Sequence, residues 1–153
     1  MLKRFRKPFW VTMFYHQNKH HKHGVIIHTL KVTYHLIRKN RWDLVPAGLL
    51  HDIAKPLTAY QDEDDINEGL GDYSFTNHEV FGYTMLKNCP DWLVSDYTKN
   101  IVRYHYLIRG MHKARVKKDI PKLKRLKRIW SKLTPDFKDD LAIFLVCDDL
   151  GKK

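Results

Sequence analysis

The stretch AGLLHDIAKP, residues 47–56, ends an apolar run on His51 and Asp52 and adds Lys55 three residues later. An ionised carboxylate carried into apolar surroundings is costly unless it is paired or bound to a cation. The pair therefore either makes a hydrogen bond inside the fold or holds a metal ion. Around it the pattern is helical. Asp43 is placed to cap a helix over LVPAGLLHDIAK, where Pro46 is tolerated in the first turn, and Pro56 ends that helix.

The flanking segments repeat the helical period, and runs of alternating polarity are nearly absent. Gly24 precedes VIIHTLKVTYHLIRK, which reaches the KNR turn. Ser74 or Thr76 opens NHEVFGYTMLKNC, and Pro90 closes it. LVSDYTKNIVRYHYLI follows and runs to Gly110. Pro121 starts KLKRLKRIWSKL, with Leu123, Leu126, Trp130 and Leu133 on one stripe and bases on the other face. In TPDFKDDLAIFLVCDDLG, Thr134 as N-cap, Pro135 at the first position and Asp136 in the first turn mark a helix start. The expectation is an all-α fold: one compact bundle of about six helices. The domain spans 1–153, with a core over about 25–151 and a basic extension over 1–24. Residues 57–73 form a glycine-bearing acidic loop, longer than most helix connections.

The 153 residues suffice for one domain, and 43% hydrophobic with 29% charged residues is a globular composition. No apolar run approaches the roughly 18–20 residues that span a bilayer. MLKRFRKPFWVTMFY has a basic start and a short apolar stretch but no small-residue cleavage site, so a signal peptide is not expected. Cys89 and Cys147 lack CxxC spacing, which suits free thiols and the cytoplasm. The net charge of +11 is uneven. Eleven Lys or Arg and one acid, Asp119, lie between Arg109 and Lys132, and six bases with no acid lie in the first 24 residues. Asp62 to Asp72 holds six acids and no base. Such asymmetry favours a polyanionic partner, nucleotide or nucleic acid, over a membrane, although charge runs are often only solvated faces.

On these helices the polar residues converge. His51 and Asp52 lie ~100° apart and can reach one point, with Lys55 on the same side. Asp148 continues the stripe Phe137, Leu141, Phe144, and Asp149 turns away. His28 leads Val32 and His35 on one face; Tyr97, Ile101 and His105 step by four; His78 shares a face with Gly82 and Met85. Imidazoles with carboxylates suit Mn, Fe, Co, Ni or Zn, with Mg possible. His28, His51, Asp52 and Asp148 can form one site. His78 and His105, with Asp52 bridging, can form a second ~3.5–4 Å away, as in two-metal phosphoryl chemistry.

His28, the HD at 51–52 and Asp148 in LVCDDLG resemble the H…HD…D pattern of the HD-domain metal-dependent phosphohydrolase superfamily. HTLKV resembles its first-histidine helix, and LLHDIAKP its Leu-Leu-His-Asp-Ile-Gly-Lys signature. FTNHEVFGYTML with NIVRYH looks closest to the HD domains attached to CCA-adding tRNA nucleotidyltransferases. The resemblance implies an all-α fold, divalent metal at His28, His51, Asp52 and Asp148, and hydrolysis of phosphomonoesters or phosphodiesters. It also matches His78 and His105 to histidines used for substrate or a second ion. Ala54 stands where the family has glycine, and the acidic loop is longer than its counterpart. No nucleotidyltransferase domain is read in these residues, so CCA addition itself is not expected.

The implied reaction is attack of a metal-activated water on nucleotides or nucleic-acid ends, such as 2′,3′-cyclic phosphates. Asp52 would hold metal and orient the water, Lys55 would neutralise phosphoryl charge, and His78 or His105 would protonate the leaving oxygen if not a ligand. Lys55, Arg109, Lys122 and Arg125 are the candidate contacts to substrate or nucleic acid. Two other functions remain open: a nucleoside mono- or triphosphate hydrolase of the same fold, and a non-catalytic nucleic-acid-binding module. Trp10, Phe14 and Tyr15 are core residues or stacking platforms. His16, His20, His21 and His23 read as solvated, and His35 is a weaker ligand candidate than His28.

Overall fold

Helix α2 (Val25–Arg38) is the element on which the others assemble. Its buried positions Val25, His28, Val32 and Leu36 recur every three or four residues, as an inward-facing stripe requires. Two glycines let neighbours close on this stripe. A Cβ at Gly48 would lie 2.7 Å from Leu36 Cδ1, and one at Gly151 would lie 2.7 Å from Val32 Cγ2. The first close approach brings in α3 (Val45–Leu50), which follows a 3₁₀ turn at Trp42–Leu44. The second brings in the C-terminal end of the last helix.

The structure is a computed structural model, and it describes residues 4–6, 9–15, 17, 23–62 and 74–153. Strand β1 (Arg4–Arg6) pairs antiparallel with β2 (Tyr60–Asp62), with Phe5 opposite Gln61. Between α3 and β2 lies α4 (Lys55–Thr58), and α1 (Phe9–Phe14) packs on α2 and α4. Then follow α5 (His78–Leu86), α6 (Asp96–Tyr104), α7 (Leu107–Val116), α8 (Ile120–Ser131) and α9 (Pro135–Gly151). Val32, Leu36, Leu44, Ala47, Ile101, Leu141, Phe144 and Cys147 make the main core. Cys89 and Cys147 are both free thiols, and among the described residues no helix is long and apolar enough to cross a membrane.

The fold is all-α, with shorter helices than the six expected. The helix expected over 44–55 stops at Leu50, turns through 51–54 and restarts at Lys55. Pro56 therefore sits in the first turn of α4 instead of ending a helix, and Asp43 makes an ion pair with Arg41 instead of a cap. The helix expected over 93–108 begins after Ser95, which caps it through Thr98 N–H, and breaks at His105–Tyr106. Its continuation runs through Gly110 to Val116. The start at Thr134 is as expected: its hydroxyl accepts from Phe137 N–H. Helix α1 and strands β1 and β2 carry too few residues for a periodic signal. Trp10, Phe14 and Tyr15 are exposed, so they are not core.

Candidate metal centre

Four histidines on four different stretches of chain meet at one carboxylate. Asp52 Oδ2 lies 3.4 Å from His28 Nε2 and 3.2 Å from His51 Nε2. Its other oxygen, Oδ1, lies 3.4 Å from His78 Nε2 and 4.0 Å from His105 Nε2. Each oxygen thus serves one pair of imidazoles. Within each pair the Nε2 atoms are 3.3 Å apart. His28, His51 and Asp52 form one triplet of mutually close donors, and Asp52, His78 and His105 form another. All five are buried; Asp52 is 2% exposed and His51 not at all.

The helix breaks explain this convergence. A helix leaves its last carbonyls without intrahelical partners. His51, at the end of α3, uses one of them: its Nδ1–H donates to Gly48 O at 2.9 Å. His105, at the end of α6, donates from Nδ1 to Val102 O at 2.7 Å. His78 opens α5 after Asn77, whose φ of 60° turns the chain sharply, and it donates from Nδ1 to Phe75 O at 2.8 Å. A carbonyl only accepts, so in each ring Nδ1 carries the hydrogen and Nε2 presents a lone pair. This is the tautomer and orientation that a metal-ligating histidine needs.

The chemistry of this donor set fits a cation. His78 and His105 point two acceptor nitrogens at each other with no hydrogen between them. A proton is a poor solution. Burial, followed by repulsion from His78 and His51, pushes the His105 pKa down to about 3. Burial also lowers that of His78, the nearby Asp52 only partly offsetting it. Burial opposes ionisation of Asp52, yet His51 and Lys55 hold its pKa well below the usual carboxylate range. Two facing neutral imidazoles, His78 and His105, beside an ionised carboxylate fit a divalent transition ion.

Asp148 joins the first triplet from α9, with Oδ1 3.0 Å from His28 Nε2 and 3.8 Å from His51 Nε2. Burial raises its pKa, and the His28 hydrogen bond with the charges of His51 and Lys152 more than offsets that. Its other oxygen lies 3.1 Å from both Arg109 Nη2 and Lys152 Nζ. Those cations keep Oδ1 turned towards His28. Lys55 is buried, with Nζ 2.7 Å from Asp52 Oδ2 and 3.0 Å from Gln17 Oε1.

The HD domain family matches residues 25–136. The chain belongs to that family. No curated protein and no solved structure matches it. The matched part of the HD domain holds His28, His51, Asp52, His78 and His105. Asp148 lies beyond it and enters the site through the geometry alone.

Every expected ligand is therefore in the cluster, and Lys55 is beside it. Arg109 is at its edge but committed to Asp148 and Asp149, the latter at 2.6 Å. Lys122 and Arg125 are exposed on α8, away from these contacts. His35 is half-buried outside the cluster, and His23 pairs with Lys31 Nζ at 2.8 Å. His16, His20 and His21, and residues 63–73 of the acidic loop, lie outside the described residues. Gly82 serves packing: a Cβ there would meet Val102 Cγ1 at 3.2 Å. Sequence reading missed Lys152 and Gln17. The spacing of Lys152, four residues after Asp148 on one helix face, was a usable signal. Gln17 lies in a stretch without periodicity and gave none.

Proposed function

We propose that this HD-domain protein is a divalent-metal-dependent phosphohydrolase acting on phosphoesters of nucleotides or nucleic-acid ends, 2′,3′-cyclic phosphates among them. One observation carries the proposal: Asp52 gives one oxygen to each of two imidazole pairs whose Nε2 atoms face each other 3.3 Å apart. His28, His51, Asp52 and Asp148 would hold one ion, and Asp52, His78 and His105 a second. Such ions supply Lewis acidity and an acidified water at neutral pH. Lys55 brings a buried ammonium to the same point, where it offsets charge on phosphoryl oxygens. Arg109 and Lys152 steady Asp148. His105, with its pKa near 3, has no proton to give a leaving group at neutral pH, which supports its role as a ligand over that of an acid.

A cavity of about 360 Å³ adjoins the cluster, and Asp52 belongs to its lining. Phe9, Met13, Leu30, Ile53 and Leu57 make it mostly apolar, with Thr29 the other polar side chain. This supports a substrate recognised through its phosphate, its organic part held by apolar contact with few hydrogen bonds. The nearer likeness to the HD domains of CCA-adding enzymes rests on FTNHEV and IVRYH alone; it favours a nucleic-acid end over a free nucleotide.

The test is metal analysis of chelator-free protein with Mn²⁺-supplemented hydrolysis of bis-p-nitrophenyl phosphate. Two equivalents of transition metal with turnover are expected, both lost in His51→Ala and Asp52→Ala. Full metal content and rate in those variants would overturn the proposal.

A further inference from the structure

The ten basic side chains from Lys113 to Lys132 are all exposed. The ion pairs among described residues belong to other cations. Arg41, Lys55, Lys99, Arg109 and Lys152 each have a carboxylate partner, and none of the ten does. The segment's acid, Asp119, is spent locally, its side chain accepting from Lys122 N–H to cap α8. These charges share one structure. Helices α7 and α8 pack together at Gly110, where a Cβ would lie 3.4 Å from Leu126 Cδ1. The apolar stripe of α8 turns inward, with Trp130 and Leu133 against the main core, and bases fill the rest of the helix. The strip begins beside the metal centre: α7 starts two residues after His105, and Arg109, one turn on, touches Asp148.

We infer that the α7–α8 surface binds the backbone of single-stranded nucleic acid and leads its terminal phosphate to the Asp52 cluster. The inference rests on the phosphohydrolase reading for the fate of that end, but not for the binding. Three features select this partner. Cations without a carboxylate partner among the described residues, along a helix of ~18 Å, match about five phosphates of one strand. A membrane surface would want apolar side chains among the bases to enter the acyl boundary. Here Val116 and Ile120, 67% and 51% exposed at the α7–α8 turn, are the strongly exposed apolar side chains in the segment. Third, the cluster is almost closed to solvent, so a free strand end can enter where a duplex cannot.

The experiment compares the protein with a variant carrying Lys122→Gln, Lys124→Gln, Arg125→Gln and Arg128→Gln. Helix α8 has no fully buried residue, so the fold tolerates these changes, and circular dichroism checks that. Fluorescence anisotropy with labelled single-stranded RNA and DNA oligonucleotides is read across a salt series. The parent should lose affinity steeply with salt, and the variant's log–log slope should be shallower by about 0.7 for each phosphate contact removed. On an oligonucleotide with a terminal phosphate, kcat/KM at low salt should fall about tenfold or more in the variant, the size of a lost steering effect. Hydrolysis of bis-p-nitrophenyl phosphate should not change.

Equal slopes in parent and variant would overturn the inference. So would phosphatidylserine vesicles or polyglutamate binding as tightly as the oligonucleotides. Weaker binding with unchanged oligonucleotide turnover would overturn delivery of the end. If the slopes differ as expected while no phosphoester is hydrolysed at any metal loading, the binding surface stands and the phosphohydrolase reading falls.

Discussion

Helix α9 carries two largely buried carboxylates, Asp140 and Asp148, two turns apart, and their surroundings differ in kind. Asp140 accepts from Tyr97 Oη at 2.6 Å and from the Arg41 guanidinium at 2.5 Å, and Asp43 takes Arg41 Nε at 2.9 Å. Arg41 Nε and Nη2 and the Tyr97 hydroxyl each meet a carboxylate oxygen. Asp148 itself has partners on both oxygens, His28 on one and Arg109 with Lys152 on the other, but the cluster it joins at Asp52 does not close. Beyond the His28 bond lie imidazole nitrogens that face one another, and Asp52 draws in four rings instead of one partner. A polar cluster that only supports the fold satisfies itself, because an unmade buried hydrogen bond is costly. One that leaves acceptors facing acceptors is complete only with a cation. The Arg41 network thus serves as an internal control for the metal centre.

The largest effect should come from Asp52→Asn. It weakens both triplets at once, so metal content and hydrolysis should fall more than ~100-fold, beyond the 10–100-fold typical of losing an outer partner. Mass spectrometry of metal content and a rate assay check this. A variant that stayed loaded would erase the distinction between the two clusters. Next, metal itself should stabilise the protein. At a free Mn²⁺ concentration ~100 times its Kd, unfolding should cost about 2.7 kcal/mol more for each ion bound than after chelation. Asp52→Asn should abolish that increment and Asp140→Ala should keep it. Asp140→Ala should instead cost about 2 kcal/mol in urea unfolding, by orphaning Tyr97 Oη and leaving Arg41 only Asp43. Its metal content and rate should stay at the parent's level.

The same contrast governs what could be read in the sequence. The donor residues were legible because ionisable side chains at core positions violate the helical pattern. Phe137, Leu141, Phe144 and Asp148 form a single stripe whose last member has no apolar reason to be there. The helix breaks were not legible. LVPAGLLHDIAKP and DYTKNIVRYHYLI keep an unbroken period, and nothing in them marks a stop at Leu50 or Tyr104. These breaks come from the site: His51 and His105 each bond the carbonyl three residues back, which turns Nε2 inward. Local pattern fails where the fold is bent to function. The Arg41–Asp140–Tyr97 network was silent for the opposite reason, since Arg41 and Asp140 are 99 residues apart and each sits in an ordinary polar position. Gln17, reaching Lys55 from the N-terminal segment, is a comparable long-range contact with no local signature.

The smallest effect tests the closed network through pH. Burial, then the hydrogen bond to Asp140, raises the pKa of Tyr97 above its ordinary value of 10.0. A group whose pKa is raised by folding adds stability that is complete below its unfolded pKa and is lost as pH rises beyond it. At pH ~9 the Tyr97→Phe variant should therefore be less stable than the parent by about 1 kcal/mol, the worth of one hydrogen bond. Above pH ~10 the unfolded parent ionises Tyr97 while the folded parent does not, so the parent alone is penalised, by about 1.4 kcal/mol per pH unit. The two stabilities should meet roughly one pH unit above 10 and then exchange order, as followed by urea unfolding of metal-free protein at each pH. All other alkaline titrations are common to both proteins and cancel in the difference. A gap that stayed constant with pH would mean that Tyr97 ionises as freely when folded as when unfolded. The network around Asp140 would then not be closed, and its contrast with the metal centre would be one of degree.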